Sequence, residues 1–399
     1  MFGRSCVTIA LVLACCAASP SQSLAGDGCS VEVFETNAAQ AAESCTSILN
    51  ADGITAAARA EALKIRGRAM QRMGRLDDAI RDYEAALQIA PDDPELHVGR
   101  GSMAVDKRDL DLALDQARQA LKLRPEYARA YNLIGAAFSL SGPEKFPQAK
   151  AAYDEAIRLE PNDPRSRYNL LNMLKTYRLY HEAVQKADAI LQLPAPLITK
   201  KEAVTINLRR TTFRIAAAIE RAGSLRWIGR TNEAMEAYDR AVELDPDVLT
   251  YTWRAAFKLD QIAFARGVPP PPTNAIQDDL DKALALDPDY WLSRQEQGEL
   301  YLRRGQFELA VTEFARALKQ FPINGSLRWT YARTLRRLGR REEAADEAIT
   351  AFRLDPGFIV DKLSALRKRG YLAAIAPDAD PRPALMDAVR ACMLDEDCG

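Results

Sequence analysis

"WLSRQEQGELYLRRGQFELAVTEFARALKQFP", residues 291–322, reads as two helical runs separated by a break. The first run carries Gly298 at its centre and ends at Gly305. The second places Ala310, Phe314 and Ala317 at i, i+4 and i+7, one face of an α-helix, before Pro322 stops it. A small residue at the centre of the first run lets two helix backbones approach, and the aromatic ring fills the groove beside it. A glycine at the break can take the left-handed conformation that ends a helix.

The same arrangement recurs along the chain. Prolines fall at 91, 125, 161, 246, 288, 322 and 356, so several intervals are 34 residues. Upstream of them stand Ala79, Tyr83 and Ala86, then Ala149, Tyr153 and Ala156, then Ala234, Tyr238 and Ala241. The central small residues are Gly67, Gly101, Gly135, Ala222, Gly298 and Ala332, and the turn glycines are Gly74, Gly142, Gly229, Gly305 and Gly339. Eight units follow from this register: 60–93, 94–127, 128–163, about 165–198, 215–248, 249–290, 291–324 and 325–358. The acidic clusters "PDDPE", "PNDP", "DPDV" and "DPDY" all fall in the loops between units, where Asp and Asn serve as caps for the next helix. A calcium loop needs alternating ligands around a central glycine, and these loops lack that pattern.

These residues resemble the tetratricopeptide repeat, a 34-residue helix–turn–helix with small residues at the helix contact and a closing proline. Residues 291–322 carry its landmarks except the first aromatic, and the resemblance spans roughly residues 60–358. It implies an all-α, right-handed superhelical α-solenoid whose first helices (helix A of each unit) line a concave groove for a peptide or protein segment. Projected onto that groove, the candidate contacts are Lys64, Arg68, Asn132, Asn169, Gln295, Trp329 and Arg333. The chaperone-tail version of the fold clamps a terminal carboxylate with Lys, Asn and Arg. Here Lys64 matches its first position, but Arg68 and Gly99 stand where asparagines are expected.

Around the array the sequence divides into 1–25, 26–59, 60–198, 199–358 and 359–399. "MFGR" followed by "SCVTIALVLACCAA" and "SPSQSLAG" has the basic start, short apolar core and small-residue end of an export signal, cleaved after Ala25. A lipoprotein reading with Cys15 as the modified terminus is the alternative. Cleavage leaves Cys29, Cys45, Cys392 and Cys398, and in an oxidising compartment the local pairings Cys29–Cys45 and Cys392–Cys398 are expected. "NAAQAAESCTSILN" reads as an N-terminal capping helix. "TKKEAVTINLRRTTFR", 199–214, is expected to lengthen the next helix A, with Arg209, Arg210 and Arg214 available to an acidic partner. "GVPPPPTN", 267–274, reads as a stiff polyproline II insertion. Residues 359–399 are expected to be capping helices; they also faintly resemble a helical peptidoglycan-binding module, with "DADPRPAL" in place of its usual turn.

The chemistry points to binding. Net charge is −1, from 54 basic and 55 acidic residues, so no global field recruits nucleic acid. No segment after the signal approaches the length of apolar chain needed to span a membrane. His97 and His181 are the only histidines and neither has a nucleophile partner in view. No phosphate-binding loop, dinucleotide fingerprint or metal-ligand spacing appears, so no cofactor, metal or catalytic residue is expected. The expected function is a non-catalytic protein-interaction scaffold, periplasmic or secreted; the alternative is a cell-wall-associated factor using residues 359–399.

Overall fold

The computed structural model describes residues 28–199, 204–206, 209–264, 273–355, 366, 370–371 and 381–395. The expected solenoid of helix hairpins is what the chain forms. An N-terminal cap comprises α1 (Val31–Thr36) and α2 (Ala38–Leu49). Three helix pairs follow: α3 (Ala56–Arg72) with α4 (Leu76–Ile89), α5 (Pro94–Asp106) with α6 (Leu110–Leu123), and α7 (Ala128–Ser141) with α8 (Phe146–Leu159). Next come α9 (Pro164–Thr176), α10 (Tyr180–Leu191) and the single turn α11 (Ala195–Ile198). Four more pairs are α12 (Phe213–Trp227) with α13 (Thr231–Leu244), α14 (Val248–Phe264) with α15 (Thr273–Leu286), α16 (Trp291–Arg303) with α17 (Phe307–Gln320), and α18 (Gly325–Arg337) with α19 (Arg341–Leu354). The last described helix is α20 (Pro381–Leu394), packed on α19. The chain divides into two compact units, Met1–Asn169 and Leu170–Gly399.

The α16–α17 and α7–α8 hairpins are built around a close approach at the small central residue. A Cβ added to Gly298 would lie 2.6 Å from Phe314 Cε1, and one added to Gly135 would lie 2.7 Å from Tyr153. Phe314 is fully buried among Ala310, Ala317, Leu318 and Leu327. The glycine and the ring are therefore two halves of one contact.

Six of the described turns within hairpins share one closure. Gly305 sits at φ +73°, with Gly305 N donating to Leu302 O and Gln306 N to Tyr301 O. In the second and fourth units the glycine is missing, and Arg108 (φ +63°) and Arg178 (φ +59°) hold the same left-handed backbone. Arg108 and Asp109 make the matching bonds to Val105 and Ala104. A side chain in this conformation costs roughly 1 kcal/mol. Arg108→Gly is therefore expected to stabilise the chain by about 0.5–1 kcal/mol in a urea titration.

A second device ties several of the units to the loop before them. Near the start of helix A, Arg294 Nε donates to Pro288 O (2.7 Å) while its Nη1 reaches Glu313 on α17 (2.7 Å). Arg328 does the same with Pro322 O (2.9 Å) and Glu347. His97 takes this role in the second unit, with Nε2 2.8 Å from Pro91 O and Nδ1 2.9 Å from Gln116 Oε1. His97 is thus a half-buried polar bridge, not the aromatic-type core residue that its position in helix A implies. The acidic loops act as punctuation: Asp93 accepts from Glu95 N (2.8 Å), and Asp247 from Leu249 N (2.9 Å).

Residues 199–214 depart from expectation. Instead of a lengthened helix, Val204–Ile206 (β1) and Arg209–Thr211 (β2) form an antiparallel hairpin in which Val204 faces Thr211. The β-branched run Val204, Thr205, Ile206 favours extended backbone, and Thr212 caps α12 through Ile215 N (3.1 Å). In the third unit Gly142 (φ +129°) and a 3₁₀ turn, Pro143–Lys145, absorb the extra residues.

At the N-terminus Cys29 and Cys45 form a disulfide, Cα–Cα 4.7 Å, and both are buried in the cap core. Cys392 is also disulfide-bonded, and Cys398, its expected partner, lies outside the described residues. The export signal, the polyproline stretch before Thr273 and most of residues 356–380 lie outside them too. Leu385, Ala388, Val389 and Met393 on α20 pack into the core formed with α18 and α19. Among the described residues no helix is long and apolar enough to cross a membrane.

Candidate binding groove

In the first unit, residues of α3, α5, α7 and the start of α9 line a cavity of about 270 Å³ with both polar and apolar side chains. Small residues make the room: Gly99, Ser102 and Ala136 line it, and the Tyr83 ring forms part of its wall. Its charged lining is Lys64, Arg68, Arg129 and Arg165 against Glu95 and Asp106.

These charges are not equivalent. Lys64 Nζ lies 2.7 Å from Glu61, 3.2 Å from Asp93 and 3.4 Å from Glu95. Burial works against its charge, but the Glu61 and Asp93 carboxylates outweigh it and raise the ammonium above the usual lysine range. Lys64 is therefore neutralised within the protein; it braces α3 against the loop leading into α5. Arg129 is 3.7 Å from Glu95, and Arg165 Nε is 3.1 Å from Asp163. Arg68 pairs with no carboxylate among the described residues; its guanidinium carbon lies 4.8 Å from the centroid of the Phe34 ring. Burial raises the Asp106 carboxyl, partly offset by a hydrogen bond with Gln71. The Tyr127 hydroxyl is buried beside Arg129 and has no well-formed hydrogen bond.

Of the residues expected from sequence, Lys64, Arg68 and Asn132 line this cavity. Asn169 meets Asn132 at its edge, Nδ2 to Oδ1 3.0 Å. Phe34 and Tyr127 were not among them: Phe34 belongs to the cap, and Tyr127 immediately precedes α7. A tyrosine just before a helix A was the only sequence signal for the latter.

Gln295, Trp329 and Arg333 belong to the second unit. Trp329 is 8% exposed and packs with Ala332, Phe352 and the α20 side chains, so it is a core residue and not an open contact. Arg333 is exposed and acts on Glu299. Gln295 donates to Glu296 (3.3 Å), a half-buried carboxyl that burial, with Glu299 and Asp260 nearby, pushes up to about 8. Unfolded glutamate titrates near about 4.3, so the folded state holds the extra proton between these values. Stability contributed here falls as pH rises through that window. Glu296→Gln should gain on the order of 1–3 kcal/mol in urea at pH 9 and almost nothing at pH 4.

Stacked two-helix units with an open polar face define a helical-repeat protein. Models of the tetratricopeptide repeat match residues 60–93, 98–142, 228–248 and 296–357. In these segments the chain carries tetratricopeptide repeats. The peroxisomal targeting signal receptor of Eremothecium gossypii is 33% identical over 107 residues, 27% of this chain and 18% of the receptor. RNA polymerase II-associated protein 3 of Homo sapiens is 25% identical over 189 residues, 47% and 27% of the two chains. Protein O-mannosyl-transferase Tmtc1 of Drosophila melanogaster is 28% identical over 116 residues, 28% of this chain and 13% of the transferase. The chain thus spans less than a third of each relative's length. Among solved structures, an IFIT1 monomeric mutant with Gppp-AAAA aligns at TM-score 0.50 and 14% identity, covering 85% of this chain and 80% of that one. The latter likeness concerns the fold alone.

Proposed function

We propose that this protein is a non-catalytic binding scaffold of the bacterial cell envelope that seats an extended peptide or protein segment in the α3–α5–α7 groove. The observation that carries the reading is the cavity itself. Small residues on successive A helices leave space, while Asn132, Arg68 and Arg129 present hydrogen-bonding groups around it. Extended backbone needs such partners, because its own N–H and C=O groups are unpaired. The Eremothecium relative is named a receptor for a targeting signal, which fits a segment-binding use of these repeats.

The groove side chains favour recognition over turnover. The Ser102 hydroxyl, which lines the cavity, donates to Val98 O (2.9 Å) in its own helix. Export is supported by the N-terminal sequence pattern and by the buried Cys29–Cys45 bond, a pairing expected in oxidising compartments. The mass of the mature N-terminus tests it: Gly26 is expected, and a lipidated Cys15 would replace this with the lipoprotein reading. Because α20 spends its apolar face on the core with α18 and α19, capping is favoured over wall binding for the C-terminal helix.

The groove reading is tested by selecting binders from a random dodecapeptide library on the full chain. Ala136→Trp, which fills the cavity, should abolish binding of the selected peptides. Undiminished binding would place their site elsewhere.

A further inference from the structure

We propose that Trp227 and Tyr180 form an aromatic platform that seats a pyranose ring of a glycan chain. Both residues belong to the second unit, and neither lines the cavity of the first.

The repeat has no structural need of an indole at this place. Trp227 is the last residue of α12, whereas α3, α5, α7, α9, α16 and α18 end on Arg72, Asp106, Ser141, Thr176, Arg303 and Arg337. All six are polar, as suits the mouth of a solvated turn; α14, which precedes the proline-rich stretch, ends on Phe264. The equivalent junction of α17 and α18 is instructive. There Arg337 Cζ lies 5.4 Å from the ring centroid of Phe307, the first residue of α17. Tyr180 is likewise the first residue of α10, and Trp227 stacks on it with centroids 5.7 Å apart and planes 9° from parallel. A flexible cation covers the ring at one junction; at the other a rigid indole does so and stays 64% exposed. An exposed indole that packing does not require marks a binding surface.

The surroundings select the occupant. Two rings are too small for the apolar core of a protein interface. Charged side chains flank them along the chain: Arg178 in the turn before Tyr180, Arg226 beside Trp227, then Arg230 and Glu233. The Arg226 guanidinium carbon lies 5.6 Å from the Trp227 ring centroid. Arg226 pairs with Asp260 and Arg230 with Glu233, so little uncompensated positive charge remains for a phosphate backbone. Arg178 is exposed and pairs with no carboxylate among the described residues. A pyranose matches this mixture. Its C–H face, slightly positive, packs on the electron-rich face of an aromatic ring. Its hydroxyls radiate from the edge, where guanidinium and carboxylate groups supply donors and acceptors. Tyr180 is the positioning residue: stacking holds the indole, so less freedom is lost on binding.

The test titrates the full chain with tetrasaccharides of glucose, N-acetylglucosamine and galacturonic acid, and with hexaproline as the peptide control. Calorimetry gives the affinity. Indole fluorescence reports the contact, because Trp329 is buried and Trp253 and Trp291 are half-buried, leaving Trp227 the most exposed of the four tryptophans. At least one tetrasaccharide should bind at about 1 mM or tighter, shift the emission to shorter wavelength and shield it from acrylamide. Trp227→Arg, which copies the end of α18, should weaken binding about tenfold or more at an unchanged thermal midpoint. Trp227→Phe, which keeps a ring, should retain part of the affinity. Tyr180→Leu, which copies Leu76 and Leu110 at the starts of α4 and α6, should cost about threefold. A galacturonate preference that Arg178→Gln removes identifies an acidic sugar as the source, and equal affinities identify the neutral ring. Ala136→Trp in the first unit should leave saccharide binding intact. No saccharide binding at about 3 mM, binding that survives Trp227→Arg, or Trp227-dependent capture of hexaproline alone would each overturn the assignment, and would leave the groove reading standing.

Discussion

Replacing Asp279 with alanine is expected to lower the stability of the second unit by about 3–5 kcal/mol. Asp279 is 1% exposed and receives Arg254 Nε (2.9 Å) and Lys258 Nζ (2.8 Å) from α14. Arg254 also has Asp239 at 2.9 Å, so it retains one partner; Lys258 is left with the Ala275 carbonyl at 3.3 Å. The cost arises from buried positive charge that has lost its counterion, more than from the bond energy itself. The triple variant Asp279→Leu, Arg254→Met, Lys258→Met should therefore recover most of the loss. Urea titration of the single and triple variants checks this; a single variant within about 1 kcal/mol of the parent would contradict the assigned role.

Phe314→Ala should cost about 3–5 kcal/mol, as the ring is fully buried and its removal leaves a cavity between α16 and α17. Its coupling to Gly298 makes the prediction sharper. Gly298→Ala alone puts a methyl 2.6 Å from the ring and should destabilise by about 1–3 kcal/mol, despite alanine's better helix propensity. Introduced beside Phe314→Leu, the same methyl should cost much less. A double-mutant cycle should then show an interaction energy on the order of 1–2 kcal/mol. Additivity would mean that the two residues do not share one contact.

Much of this architecture was legible because it is local. Gly298, Gly305, Phe314 and Pro322 each have a conformational or steric reason that depends on a few neighbours, and the pattern repeats. Arg68 was legible as a groove position for the same reason. That no described carboxylate pairs with it was not, because that depends on where Glu61, Asp93 and Glu95 direct their charge, toward Lys64. Trp329 has a groove-facing register in the repeat, yet it is buried in the core that also takes in side chains of α20. The β1–β2 hairpin falls where the sequence reading lengthened the next helix A; the β-branched residues at 204–206 were the competing signal. Arg108 and Arg178 show the converse, with repeat geometry imposing a glycine conformation on arginine.

The central claim, that the A-helix face of the first unit is the binding surface, is tested most directly by site-specific photo-crosslinking. A photoreactive amino acid is placed at Ala136 in the groove or at Gln119 on the exposed face of α6, and each full-length variant is irradiated with a library-selected dodecapeptide. Crosslinking from position 136 and none from position 119 is the predicted result. Capture from position 119, with none from position 136, would contradict the claim.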